Sequence, residues 1–400
     1  MQEITVTEPT FVTTFQCIGS ECRDHCCKNW NINLDKATVK KYLSSKDYGI
    51  RNIAREKIIV LKKSIDNWGV IKLNENTKNC PYLTENSLCQ VQKKLGHQAL
   101  SATCKIFPRV EQVFKHDIRK ALNLSCPEVA RIVLTNPDAM VLNESTMLKP
   151  TANTAPSLSQ RYKLLNLYCL SLVEQAGHGV DVGLYALIKL TLYIQKHDQV
   201  DNVELIEIER IYHAIMAQLQ SGELSKELSS FSSDLTIKRT LILLLQDYFR
   251  SLSSSRASGV LGYYIQCLLQ TLSLDGKDSI DEAIAKLEAT WQQMYKEKTK
   301  VTFDFKNLIL YKIWKSNFPN QKNVDPLRSL YMISVEYYFI KILIAASAYE
   351  RTYLEKEDAI NIVYSFHSLS QHNPTVHENF HKHIETVRTG DDLSMIHLLT

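Results

Sequence analysis

The chain has no uninterrupted apolar run of the roughly 20 residues that a membrane helix needs. Its opening, Met1 to Glu8, is partly acidic and lacks the apolar core of a signal peptide. These two absences point to a soluble, cytoplasmic protein with no membrane partner. Also missing are the Gly-x-x-x-x-Gly-Lys-Ser/Thr phosphate loop, the His-Glu-x-x-His zinc helix and the Gly-x-Ser-x-Gly nucleophile turn, so none of those chemistries is indicated. The basic residues around Lys57, Lys62 and Lys63 have no interleaved aromatics on which bases could stack, which argues against a nucleic-acid partner. Gly177 to Gly183 looks superficially like a nucleotide loop. No strand precedes it, so a turn between helices is the better reading. Cysteine is almost absent from the last 274 residues, which hold only Cys169 and Cys267.

The other eight cysteines lie before residue 127: Cys17, Cys22, Cys26, Cys27, Cys80, Cys89, Cys104 and Cys126. In a reducing compartment such clustering indicates metal ligands more than disulfides. The spacings are Cys-x4-Cys-x3-Cys-Cys, then Cys-x8-Cys, Cys-x14-Cys and Cys-x21-Cys, without the paired knuckles of a structural zinc site. An iron–sulfur cluster is favoured over zinc, and zinc over plain buried or redox thiols. Adjacent thiols such as Cys26 and Cys27 point apart on most backbones, so the two are expected to serve different sites or a cluster and its shell. Residues 1–126 carry 20 Lys and Arg against 12 Asp and Glu, an excess that metal-bound thiolates would partly offset and that a solvated basic face explains equally well.

Periodicity predicts a mainly α protein: a Cys-rich part over 1–150 with a few short strands, then an all-α part over 151–400. Residues 1–16 alternate β-branched and polar side chains, as an extended lead-in would. Asn33 or Asp35 is placed to cap a helix bearing Val39, Tyr42 and Leu43, and a Lys- and Arg-rich amphipathic run covers Ile53 to Ile65. Trp68 to Leu73 suits a strand, and Thr84 to Ser87 suits a turn that brings Cys89 back to Cys80. Pro150 to Ser157 has linker composition. Beyond it, apolar residues recur at helical spacing in nine segments, from Tyr162–Ala176 to Lys356–Ser370. The most apolar, Leu330 to Tyr349, is interrupted by Glu336 and Lys341 and reads as a buried core helix. His372, His377, His381 and His383 could suggest a ligand cluster, but their polar flanks suit a solvated helix.

Cys17, Cys22, Cys26-Cys27, Cys80-Pro81-Tyr82-Leu83, Leu88-Cys89, Cys104-Lys105-Ile106-Phe107-Pro108 and Cys126 together resemble the CxxCxxCC zinc- or iron-chelating superfamily. Leu310-Tyr311-Lys312-Ile313-Trp314 adds a likeness to its flagellin lysine N-methylase, or FliB-like, branch, and the resemblance spans the chain in length and layout. It implies a protein-lysine N-methyltransferase that takes methyl groups from S-adenosylmethionine and places them on lysine ε-amines of flagellin. It also implies an iron–sulfur cluster, of the 4Fe–4S type, on the eight amino-terminal cysteines, with zinc as the alternative. The chain departs from the radical Cys-x3-Cys-x2-Cys signature, since Asn29 stands where the third cysteine would follow Cys22 and Cys26. An amine is already a nucleophile, so methyl displacement needs alignment and loss of a proton but no radical. Glu21, Asp24, His25 and Tyr82 are the nearby candidates to handle that proton. The competing reading is a non-catalytic metal-binding adaptor or chaperone-like protein for a flagellar partner.

Overall fold

The computed structural model describes residues 2–29, 32–149, 154–198, 205–250, 256–273, 279–296, 303–321, 324–349, 355–372, 374–388 and 391–400. In chain order the first part contains β1 (Gln2–Pro9), α1 (Thr10–Thr14), β2 (Asn33–Leu34), α2 (Lys36–Leu43), α3 (Tyr48–Lys57), β3 (Ile58–Val60) and β4 (Gly69–Ile71). It continues through α4 (Gln90–Leu95), α5 (Ala102–Ile106), β5 (Arg109–Val113), β6 (Asp117–Leu122), α6 (Pro127–Thr135) and β7 (Leu142–Lys149). The remainder is helical: α7 (Gln160–Ala176), α8 (Val180–Asp198), α9 (Leu205–Gln220), α10 (Glu223–Ser230), α11 (Leu235–Arg250) and α12 (Ser258–Ser273) come first. Then follow α13 (Ile280–Lys296), α14 (Phe305–Ser316), α15 (Pro326–Tyr349), α16 (Lys356–His372) and α17 (Pro374–Arg388). The protein is mainly α, as its periodicity predicts.

Two small sheets organise the first part. One has the order β5-β6-β1-β7, with β1 parallel to β6 and antiparallel to β7; the other has the order β2-β4-β3. The side chain of Asp35 accepts from the Thr38 amide at 2.8 Å and so caps α2, one of the two caps expected. The amphipathic helix expected over Ile53 to Ile65 stops earlier. The β-branched run Ile58-Ile59-Val60 leaves the helix at Lys57 and pairs with β4 instead. Gly177, at φ +57°, makes the turn between α7 and α8, a conformation in which a Cβ would be strained. Of the expected linker, residues 150–153 lie outside the described residues, and 154–157 are irregular.

A small core built from Ile32, Leu34, Val39, Tyr42, Ile50 and neighbours up to Leu100 belongs to the first part alone. The large core is shared: Phe11, Leu122, Leu124 and Val129 lie in one continuous apolar cluster with α14, α15 and α16. Val129, Val133 and Leu134 of α6 are fully buried there, each contributing roughly 1.5–3 kcal/mol. Polar bonds fix the same seam: Asn307 donates to the carbonyls of Val133 at 3.1 Å and Asn136 at 2.9 Å. The apolar helix α15 runs through this core, 94% buried over its most apolar stretch, as the charges within it suggested.

Candidate functional site

Backbone pairing draws the first thiols toward the later ones. The Cys80 amide donates to the Cys27 carbonyl at 2.8 Å, and Lys28 and Asn79 form a β-bridge. The expected turn is present: the Thr84 amide donates to the Leu88 carbonyl at 2.9 Å, and Leu83 pairs with Cys89, folding Cys89 back beside Cys80. Cys104 sits on α5, whose cap Ser101 accepts from the Cys104 amide at 3.2 Å. Cys27, Cys80, Cys89 and Cys104 all border the small core, where the Tyr42 hydroxyl donates to the Ala99 carbonyl at 2.9 Å and the Tyr42 ring stands edge-on to Tyr82.

The protonation of these thiols reflects their crowding. Burial pushes Cys80 up to about 12 and Cys104 up to about 11, with neighbouring cysteines adding to the shift. Cys89 is raised for the same reason. Cys26 and Cys27 share a hydrogen bond, which lowers Cys26 and raises Cys27. Their side chains therefore do not point apart as expected for adjacent cysteines. The segment is a bend, not a strand or helix, and it lets both sulfurs turn to one side.

A second pair lies toward the helical half. Cys126 caps α6 and is pushed up to about 12 by burial, with Cys22 and Arg256 within electrostatic reach. Cys22 donates to the Asp24 carbonyl at 3.4 Å, and burial raises it. Arg256, 1% exposed, reaches across from the helical half: its Nε meets Asp24 Oδ2 at 3.1 Å, and its Nη2 donates to the Asp24 carbonyl at 2.8 Å. Cys17 is exposed. Among the candidates for handling an amine proton, Asp24 is engaged by Arg256, Tyr82 is buried in the small core, Glu21 is exposed, and burial lowers His25. The side chains of His372 and His377 lie outside the described residues, and His383 is exposed.

All ten cysteines are free thiols. Among the described residues no group of three or more His, Cys, Asp or Glu side chains is arranged as a metal ion requires. The donor chemistry nevertheless suits a thiophilic metal. Cys26, Cys27, Cys80, Cys89 and Cys104 are mutually close enough to perturb one another's protonation, and soft thiolates select zinc or iron–sulfur centres.

Sequence reasoning missed a second polar site, in the helical half. A cleft of about 520 Å³ is bounded by α14, α15, α16 and α17. At its floor Glu336 of α15 is ion-paired with Lys312 of α14, and His367 of α16 stands 3.9 Å from the same carboxylate. Glu336 is held down to about 2: burial opposes its charge, but Lys312 and the neighbouring histidines outweigh that. His367 is lowered to about 3, first by desolvation and then by the charge of Lys312. Lys315, one turn from Lys312, is lowered to about 7 by desolvation and by the charge of Lys312. The available signal was four ionisable residues on apolar helices, of which Glu336 was read only as an interruption. Nothing local shows that α16 would bring His367 to it.

Fold and sites together define a mainly helical protein whose thiol-rich first part is clasped to a helical bundle with a buried Lys–Glu–His cleft. The family model for the FliB lysine N-methylase C-terminal domain matches residues 166–398. Lysine-N-methylases of Salmonella choleraesuis and Salmonella typhimurium are each 54% identical over 401 residues, covering the full length of both chains. The flagellar biosynthetic protein FliU of Salmonella muenchen is 59% identical over 144 residues, 36% of this chain and 85% of its own. No solved structure matches. The chain belongs to the FliB lysine N-methylase family, whose members are methyltransferases acting on lysine.

Proposed function

We propose that the chain transfers the sulfonium methyl of S-adenosylmethionine to lysine ε-amines of flagellin, in the cytoplasm before export. The observation that carries this reading is the full-length match to two lysine-N-methylases, joined by the flagellar names of shorter relatives. Residues 1–150 supply the thiol centre and the donor chemistry, and the helical half recognises the protein substrate. Cys26, Cys27, Cys80, Cys89 and Cys104 would hold an iron–sulfur cluster, with Cys22 and Cys126 at its margin beside Arg256; zinc is the alternative. When bound, such a centre supplies folding free energy to a module with a small core of its own and a soft surface near which the donor is anchored.

The chain's own residues supply alignment and exclusion of water. Arg256 and Asp24 lock the thiol loop against the helical bundle, and the shared core keeps that register rigid. The test is incubation of the holoprotein with labelled S-adenosylmethionine and unassembled flagellin, followed by mass analysis of the lysines. Methylated lysine in flagellin supports the reading. Metal-loaded protein that binds flagellin without transferring label would favour the adaptor reading instead.

A further inference from the structure

The cleft in the helical half lies close to the thiol-bearing segment. Lys315 Nζ donates to Asn123 Oδ1 at 2.8 Å, and Gln112 donates to the Lys315 carbonyl at 2.7 Å. The Cys126 amide in turn donates to the Asn123 carbonyl at 3.0 Å, so a single turn of chain links the partner of Lys315 to a thiol. Ser368, next to His367, donates to the Ser125 carbonyl at 3.2 Å and ties α16 to the same turn. The volume of the cleft, about 520 Å³, is that of a small-ligand site. Val324, Met332 and Ile333 give it apolar walls suited to a chain of methylenes.

A lysine arriving from solvent carries a proton, with an ordinary pKa of about 10.4, and its nitrogen lone pair becomes available only when that proton leaves. Neither Glu336 nor His367 accepts a proton near neutrality, being held at about 2 and about 3. We propose that this cleft receives the acceptor lysine of the protein substrate and that Lys315 takes the proton from its ammonium. The proposal rests on the methyl-transfer reading above.

Desolvation and the charge of Lys312 move Lys315 toward its neutral form, against the opposing charge of Glu336. On its own helix Lys312 repels a second ammonium, whereas the Tyr311 ring, 5.6 Å away, favours the charged form. From α15, Glu336 pairs with Lys312 and also pulls Lys315 upward, though less than desolvation and Lys312 lower it, and Arg328 is paired with Glu385. His367 of α16 is neutral, His381 of α17 lies across the cleft, and Arg119 of β6 is stacked on Trp314. Desolvation and the Lys312 charge place Lys315 at about 7, near the value at which a general base works best at neutral pH. The step balances. The acceptor ammonium gives one proton to the neutral Lys315 amine, and the freed lone pair forms a bond to the methyl carbon of the sulfonium donor. The carbon–sulfur bond breaks with its electrons going to sulfur, which leaves as a neutral thioether. Lys315 then returns its proton to water.

Full-length wild type, Lys315→Arg and Lys315→Met are compared in initial rates of label transfer from S-adenosylmethionine to unassembled flagellin between pH 6 and 9.5, about the span over which a lysine base and its acceptor titrate. Wild type should rise with a midpoint near 7 and then level off. Both variants should lose about 10²-fold or more in kcat at neutral pH with little change in KM, and should keep rising into alkali as the acceptor deprotonates on its own. Variants that keep the helical circular dichroism of wild type and also its rate and pH profile overturn the assignment. A wild type that transfers no methyl at any pH defeats the methyl-transfer reading itself. Should both variants misfold, competitive acetylation of wild type decides. Protection of Lys315 by added flagellin supports the proposal, and unchanged labelling overturns it.

Discussion

Replacing Arg256 by Met tests how the thiol loop is held. The guanidinium is 1% exposed and the Asp24 carboxylate 11%, so the pair lies almost wholly out of water. Arg256→Met removes both bonds to Asp24, at 3.1 Å and 2.8 Å, and leaves a carboxylate buried without its counter-charge. Breaking one side of a buried pair costs about 3–5 kcal/mol, whereas an exposed pair is worth about 0–1 kcal/mol. The same seam supplies the control: Arg23 pairs with Glu357 and donates to Asn361 at half-exposed positions, so Arg23→Ala should cost no more than about 1 kcal/mol. The double variant Arg256→Met with Asp24→Asn removes the stranded charge and should be less destabilised than the two single losses added together. Urea unfolding followed by tryptophan fluorescence gives the stabilities, and limited proteolysis reports whether residues 17–29 come loose. An Arg256→Met variant as stable as Arg23→Ala would refute the view that this pair clamps the loop to the bundle.

Glu336→Gln should destabilise by about 3–4 kcal/mol at neutral pH, from a carboxyl held at about 2 instead of 4.5 and about 1.4 kcal/mol per unit. Because the folded value is depressed, that stability is present above pH 4.5 and is lost as pH falls toward about 2, so acid titration of wild type and variant should converge there. His367 is held at about 3, so the unfolded chain binds its proton first and stability falls as pH drops from 6.5 toward 3; His367→Gln should flatten that limb in a pH series of thermal melts. Tyr42→Phe leaves the buried Ala99 carbonyl without its donor and should cost about 1–2 kcal/mol, measurable as a lower unfolding midpoint. Cys26→Ala and Cys22→Ala should lower metal content and melting temperature together in anaerobically prepared protein; stoichiometric zinc without iron or sulfide would rule out the cluster.

The sequence by itself carried what depends on near neighbours. Helical recurrence of apolar residues located α7 to α9 and α11 to α16 to within a few residues, because the three- and four-residue spacing that buries one face is written locally. The cap at Asp35, the turn at Thr84 to Ser87 and the turn at Gly177 were legible for the same reason, and the cysteine pattern led to the superfamily, with Leu310 to Trp314 adding the methylase branch. It could not divide the eight thiols into a group around the small core and a pair beside Arg256, because Asp24 and Arg256 are 232 positions apart. Nor could it show a buried ionisable cleft, since Lys315 meets Asn123 across 192 positions and Glu336 meets His367 only once α15 and α16 pack. Periodicity identifies the face a helix buries, but only the packed structure determines which charges are desolvated together, and that desolvation sets their protonation.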